Sequence, residues 1–224
     1  MLFRSSFKLD EGKTFALVGP SGSGKSTIAK LISGFYSLNS GSIKIGGYDI
    51  REYSEETLLQ NISFVFQNSK LFKTSIYENV KMGDQNATRE EIMNALHLAK
   101  CESILAKFPE KENTIIGSKG VHLSGGEVQR VAIARAILKK SKIIILDEAS
   151  AAADPENEYE LQQAFSNLMK GKTTIMIAHR LSSIRNVDEI LFIENGKVIE
   201  RGNDTNLIDR KSTRLNSSHT NLSR

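Results

Sequence analysis

The sequence predicts an α/β fold with a mostly parallel sheet, a small antiparallel β part and an inserted helical subdomain. Three observations carry that reading. Short apolar runs alternate with amphipathic helical segments at both ends of the chain, whereas the stretch from Ser75 to about Leu138 is helical in pattern. A glycine-rich loop, Gly19-Pro20-Ser21-Gly22-Ser23-Gly24-Lys25-Ser26-Thr27, joins the first clear strand to the first clear helix.

In chain order, Met1 to Lys13 sets Phe3, Phe7 and Leu9 in a strand-like pattern that ends at the turn Asp10-Glu11-Gly12. Thr14 to Val18 is an apolar strand, and Ile28, Leu31, Ile32 and Phe35 recur at helical spacing beyond the loop. Gly41 to Ile50 alternates around a Gly-Gly turn, the pattern of an antiparallel hairpin at a sheet edge. Ile62 to Phe66 is the next buried strand and stops at Gln67. Within the helical stretch, Glu90 to Leu98 and Glu102 to Phe108 are the clearest segments. Lys142 to Leu146 is a fully apolar strand, Glu156 to Met169 a helix and Thr173 to Ile177 a strand. Glu189 to Ile193 and Lys197 to Ile199 form a hairpin around Asn195-Gly196. The expected division is a core lobe of residues 1–74 and 139–208, a helical subdomain of 75–138, and a disordered tail of 209–224.

Composition narrows the class. The chain has 224 residues, 39% hydrophobic and 25% charged, enough for one large domain or two lobes. The single cysteine, Cys101, excludes an internal disulfide framework, and the four histidines have no metal-ligand spacing. No apolar run approaches the ~18 residues that a membrane span needs. The net charge of +4 sits mostly in the tail, where four basic residues face one acidic residue, so residues 1–208 are nearly neutral. That distribution argues against nucleic acid as a partner.

The loop reads G-x-x-x-x-G-K-[ST] and lies between strand and helix, where a phosphate-binding loop has to lie. Its glycines allow successive N–H groups to turn inward around phosphate oxygens, and the helix starting near Lys25 adds its own unpaired N–H groups. Lys25 reaches the β- and γ-phosphates, and the Ser26 hydroxyl completes the coordination of a Mg²⁺ that keeps most of its waters. MgATP or MgGTP is the expected ligand. The rival reading is a glycine-rich turn with no ligand.

The second chemical element is Ile143-Ile144-Ile145-Leu146-Asp147-Glu148. Four apolar residues in a row mark a strand buried on both faces, and open α/β sheets bind ligands at the carboxyl ends of such strands. Asp147 is placed to hold Mg²⁺ through its water shell. Glu148, one step further, can orient and deprotonate the water that attacks phosphorus in line.

The third is Leu123-Ser124-Gly125-Gly126-Glu127-Val128-Gln129-Arg130, a serine and two glycines opening a helix, hence a second anion site at a helix N-terminus. Together with the loop, the Asp147-Glu148 strand, Gln67 and Ala178-His179-Arg180, it closely resembles the ATP-binding cassette (ABC) family of ATPases over residues 4–208. The resemblance implies a P-loop NTPase (RecA-like) core that hydrolyses ATP with Mg²⁺. It implies that Leu123 to Glu127 close over nucleotide held by a second ABC ATPase domain, identical or different, in a head-to-tail dimer. By the same resemblance, Gln67 contacts Mg²⁺ and the attacking water, His179 contacts the γ-phosphate and holds the water and Glu148 in place, and Asp154 belongs to the loop that communicates between the two sites. That loop is Ala151-Ala152-Ala153-Asp154 here, where the family commonly has a serine first.

Thr74 to Val80 and Thr114 to Gly120 look like the segments that, in exporters of the family, meet coupling helices of transmembrane domains. Ser118 stands where an acidic residue is common. The resemblance therefore implies the motor of an exporter, at the cytoplasmic face of the plasma (inner) membrane through transmembrane partner domains. The alternatives are an importer-type ATPase, a soluble ABC ATPase acting on ribosomes or DNA, or a P-loop kinase or GTPase. The family's adenine-stacking aromatic lies upstream of the P-loop in a strand that this chain begins too late to include, so lowered nucleotide affinity is expected and Met1 reads as an internal methionine of a longer gene. The stretch from Arg210 to His219 resembles translated sequencing-adapter read-through, with a basic tail touching lipid headgroups as its rival.

Overall fold

The computed structural model describes residues 5–66, 68–117, 120–147, 155–178 and 187–202. Strand β1 (Thr14–Val18) leads through the glycine-rich loop into α1 (Lys25–Ile32), and β2 (Lys44–Ile45) and β3 (Tyr48–Asp49) form a hairpin. Helix α2 (Glu55–Asn61) precedes β4 (Ile62–Val65). The helical stretch holds α3 (Ile76–Lys81), α4 (Arg89–Leu98), α5 (Glu102–Leu105) and α6 (Gly125–Leu138). Strand β5 (Ile143–Asp147), α7 (Pro155–Met169), β6 (Thr173–Ile177), β7 (Glu189–Glu194) and β8 (Lys197–Gly202) complete the order.

The main sheet has six strands in the order β4-β5-β6-β1-β7-β8. All neighbours pair in parallel except β7 and β8, whose antiparallel pairing follows from the short Asn195-Gly196 turn. The β2–β3 hairpin forms its own two-stranded sheet rather than an edge of the large one. Alternation sends the central strands' side chains to two cores. Ile144 and Leu146 face one that also takes in α3, α4, α6 and α7, while Ile145 faces the other, with Phe15, Leu17 and Ile28. Strand β5 is covered on both faces, with Ile144 to Leu146 buried, which is why it reads as an unbroken apolar run.

Three local expectations are corrected, and one helix is not expected from the sequence. Residues 5–9 form no strand: the Ser5 hydroxyl donates to the Gly196 carbonyl and accepts from the Val198 N–H, so a side chain replaces the ladder while Phe7 and Leu9 still pack on the core. Phe35 lies beyond α1, which ends at Ile32 with Ser33 as its C-cap before the positive-φ Gly34, and its half-exposed ring stacks on Phe66. Helix α5 stops at Leu105, short of Phe108, because Pro109 disfavours helical geometry in the residue before it. Helix α2 begins at the Ser54 cap and buries none of its residues fully, so it carries no apolar period to read.

Helix α6 is the most deeply set. Glu127, Gln129 and Arg130 are buried along with its apolar residues, which costs free energy unless their polar groups find partners; Gln129 Nε2 and Arg130 Nε have none among the described residues. Arg130, 1% exposed, donates to Glu160, to Asn157 Oδ1 at 2.9 Å, to the Lys100 carbonyl at 2.7 Å and to Ser103 Oγ at 3.1 Å. One guanidinium thus ties α6 to α5 and α7. Asn79, fully buried, accepts from Arg135 Nη2 at 2.9 Å while its amide donates to the Phe72 and Ser75 carbonyls, tying α3 and the loop before it to α6. Cys101 is buried and its thiol is pushed up to about 12 by desolvation.

Arg130→Ala should destabilise the fold by about 3 kcal/mol or more, since it strands a buried acceptor set, with Arg130→Lys intermediate; urea unfolding measures both. At the sheet edge, the Thr14 N–H and the Lys13 ammonium hold the Asp188 carboxyl below its ordinary value. Its stabilising contribution is then complete above the unfolded value near 3.8 and lost as pH falls through the folded one. Asp188→Asn should flatten the acid limb of the stability curve below about pH 4, which pH-dependent thermal melts would register.

Candidate functional site

The glycine-rich loop is shaped by one close approach. Gly19 has φ +152°, and a Cβ there would meet the Ile193 carbonyl oxygen of β7 at 2.0 Å. Only glycine lets the loop pass over that strand. The Gly196 N–H donates to the Ser23 carbonyl at 2.9 Å, so the β7–β8 turn fastens the loop's far side. Gly24, at φ 103°, caps α1 in the left-handed region, and Gly22, at φ +75°, stands at an exposed turn with open space around it.

Lys25 is 3% exposed and its ammonium lies inside the loop, donating to the Gly19 and Pro20 carbonyls at 2.9 Å each, with Ser23 Oγ at 3.4 Å. A cation held on carbonyls at the centre of inward-turned backbone can move to an anion that enters. Ser21 is exposed at the loop tip, while Ser26 and Thr27 sit half-buried in the first turn of α1.

The register of the sheet brings the second element to the same place. Asp147 pairs with Ile177, and Ile177 with Leu17, so the carboxyl ends of β5, β6 and β1 are level. Across that edge the Ser26 hydroxyl donates to Asp147 Oδ1 at 3.5 Å, over 121 residues of sequence. Two hard oxygen donors beside a glycine-rich loop are of the kind that suits a Mg²⁺ keeping most of its waters. Among the described residues no group of three or more His, Cys, Asp or Glu could hold a metal, so water and phosphate oxygens would have to fill its other positions. Gln67, Glu148, Asp154 and His179 lie outside the described residues.

The third element forms the start of α6. Ser124 is its N-cap, accepting from the Glu127 N–H at 3.3 Å, and Glu127 completes a capping box by accepting from the Ser124 N–H at 2.7 Å. Gly125 and Gly126 occupy the first two helical positions, where N–H groups lie outside the helical ladder, and a Cβ on Gly125 would touch nothing. Leu123 packs on the core below. Burial alone would raise the Glu127 carboxyl, but hydrogen bonds from Lys107 and Ser124 outweigh it and hold the group below its ordinary value. Lys107 carries no motif, and no signal in the sequence marks it.

The two stretches that look like coupling segments touch each other. Ser75 and Ile115 form an antiparallel bridge, the Ile76 N–H donates to the Thr114 carbonyl, and the Ile116 N–H donates to the Thr74 carbonyl. Ser118 and Lys119 lie outside the described residues. Beside α3 a groove of about 840 Å³ opens between α2, Gly83-Asp84 and Lys139.

Gly19→Ala should abolish nucleotide binding or folding, because the new methyl group meets backbone. Gly22→Ala, with open space, should cost only the ~1–2 kcal/mol of a left-handed alanine. Fluorescent-nucleotide titration with a parallel melt ranks the two, and equal effects would refute the close-approach account.

The family model described as "ABC transporter" matches residues 2–151. Over 203 residues the chain is 48% identical to ABC transporter B family member 4 of Dictyostelium discoideum, covering 91% of this chain and 26% of that protein. It is 49% identical over 198 residues to the ATP-dependent lipid A-core flippase of Pectobacterium atrosepticum, covering 88% of this chain and 34% of the relative. It is 44% identical over 209 residues to the Beta-(1-->2)glucan export ATP-binding/permease protein NdvA of Bartonella quintana, covering 93% of this chain and 35% of the relative. The chain spans only about a quarter to a third of the length of these three relatives. With a mostly parallel α/β sheet, a glycine-rich loop at its carboxyl edge and a family match across 2–151, this chain belongs to the ABC transporter family.

Proposed function

We propose that this chain is the ATP-hydrolysing nucleotide-binding domain that powers an exporter, working as a head-to-tail dimer with a second ABC ATPase domain. The observation that carries the reading is the meeting of Ser26 and Asp147, which brings the phosphate loop and the acidic strand end to one edge of the sheet. Lys25 and the loop's N–H groups bind the phosphates, and Ser26, Asp147 and Gln67 hold Mg²⁺, which when bound neutralises charge on the β- and γ-phosphates. Glu148, next in sequence to Asp147, takes the proton of the attacking water, with His179 positioning it. Leu123 to Glu127 cover nucleotide in the partner domain, and Asp154 links the two sites.

In this reading residues 1–74 and 139–208 are the core lobe and 75–138 the helical subdomain, while 209–224 take no part. The paired segments around Ser75 and Ile115, with the neighbouring groove and the exposed Met82, receive helices of transmembrane domains at the cytoplasmic face of the plasma (inner) membrane. The exporter assignment is supported by relatives named as a flippase and an export protein.

Light scattering on Glu148→Gln tests this. Without the carboxylate, hydrolysis stops and MgATP should convert monomer to a stable dimer. A chain that stays monomeric at saturating MgATP would overturn the dimer reading for this chain.

A further inference from the structure

The acidic residue inside the second phosphate surface poses an electrostatic problem. Glu127 lies at the third position of α6, in the same first turn as Gly125 and Gly126, and is 5% exposed. An ionised carboxylate there is itself stabilised by the helix N-terminus, yet it repels any phosphate approaching the same N–H groups, and a largely desolvated site screens that repulsion poorly. Both of its oxygens are engaged. Oε2 accepts from the Ser124 N–H at 2.7 Å and Oε1 accepts from Lys107 Nζ at 2.6 Å. Lys107 comes from the turn after α5, its side chain about half-exposed, so its ammonium closes the carboxylate from the solvent side.

We propose that Lys107 is a positioning residue for the second phosphate surface: by neutralising Glu127 it keeps the start of α6 receptive to the nucleotide phosphate of a partner domain while holding the capping box in place. The inference rests on the reading that Ser124 to Glu127 meet such a phosphate. Lys107 need not touch nucleotide. Its effect passes through Glu127, so it should vanish when Glu127 carries no charge. Glutamine at position 127 keeps a side-chain oxygen for the Ser124 N–H but presents its NH₂ to the Lys107 ammonium, so both the charge and the hydrogen bond to Lys107 are lost in that background; a residue that merely fastens α5 to α6 would show its cost in the thermal midpoint and not in half-saturation.

A double-mutant cycle on the 224-residue chain tests this. The MgATP concentration that half-saturates ATP turnover is measured for the parent, Lys107→Met, Glu127→Gln and the double variant, with thermal midpoints alongside. Lys107→Met should raise it roughly three- to tenfold, the scale of one charge at a helix terminus, while in the Glu127→Gln background the same change should raise it less than about twofold. Lys107→Arg, which keeps the charge, should track the parent and serves if Lys107→Met does not fold. Ser124→Arg, which blocks the surface, separates the two levels. If it abolishes turnover while Lys107→Met matches the parent, or costs the same in both backgrounds, the role of Lys107 is overturned and the surface stands. If Ser124→Arg turns over like the parent, the surface does not meet phosphate and the proposal falls with it.

Discussion

Burying charge in α6 is the constraint around which the molecule is arranged. A helix set this deep exposes few positions to water, yet this one carries Glu127, Arg130 and Arg135 inward. Each must find its opposite charge or a set of hydrogen-bond acceptors, or the helix would not be stable there. Lys107, Glu160 with Asn157, and Asn79 supply them from three different elements. Helix α6 is therefore fixed relative to α3, α5 and α7 by directional bonds, where apolar packing alone would permit sliding.

The P-loop side is held in a different way. There the fixing contacts are backbone to backbone: β7 beneath Gly19 and the β7–β8 turn at Ser23. Side chains add to this only from within, Lys25 folding onto the Gly19 and Pro20 carbonyls and Ser26 reaching Asp147. The loop is thus fixed by main chain, and the start of α6 by a frame of paired charges.

Much of this was legible in the sequence, and the reasons differ by element. β1 and β5 could be read as near-continuous apolar runs and β6 from its apolar Ile175 to Ile177, although it also buries Thr174; α6 could be read because Ser124 and two glycines open a helix. The loop and Asp147 announced themselves by residue type and position. Helix α2 could not be read, since a surface helix with no fully buried residue imposes no period, and the N-terminal segment misled because Phe7 and Leu9 pack without joining the sheet. The pairings of Lys107 with Glu127 and of Arg130 with Glu160 join residues 20 and 30 apart on different elements, and only tertiary packing selects those partners from many surface charges.

Cys101 has a practical side that follows from its burial. The chain's only thiol is fully enclosed between α4 and α5 and held in its protonated form, so reagents that need a thiolate find almost none at neutral pH. Natural sequence thus supplies a silent background: a cysteine introduced on the surface would carry a spectroscopic label alone, and any reaction at position 101 would report the helical layer coming apart.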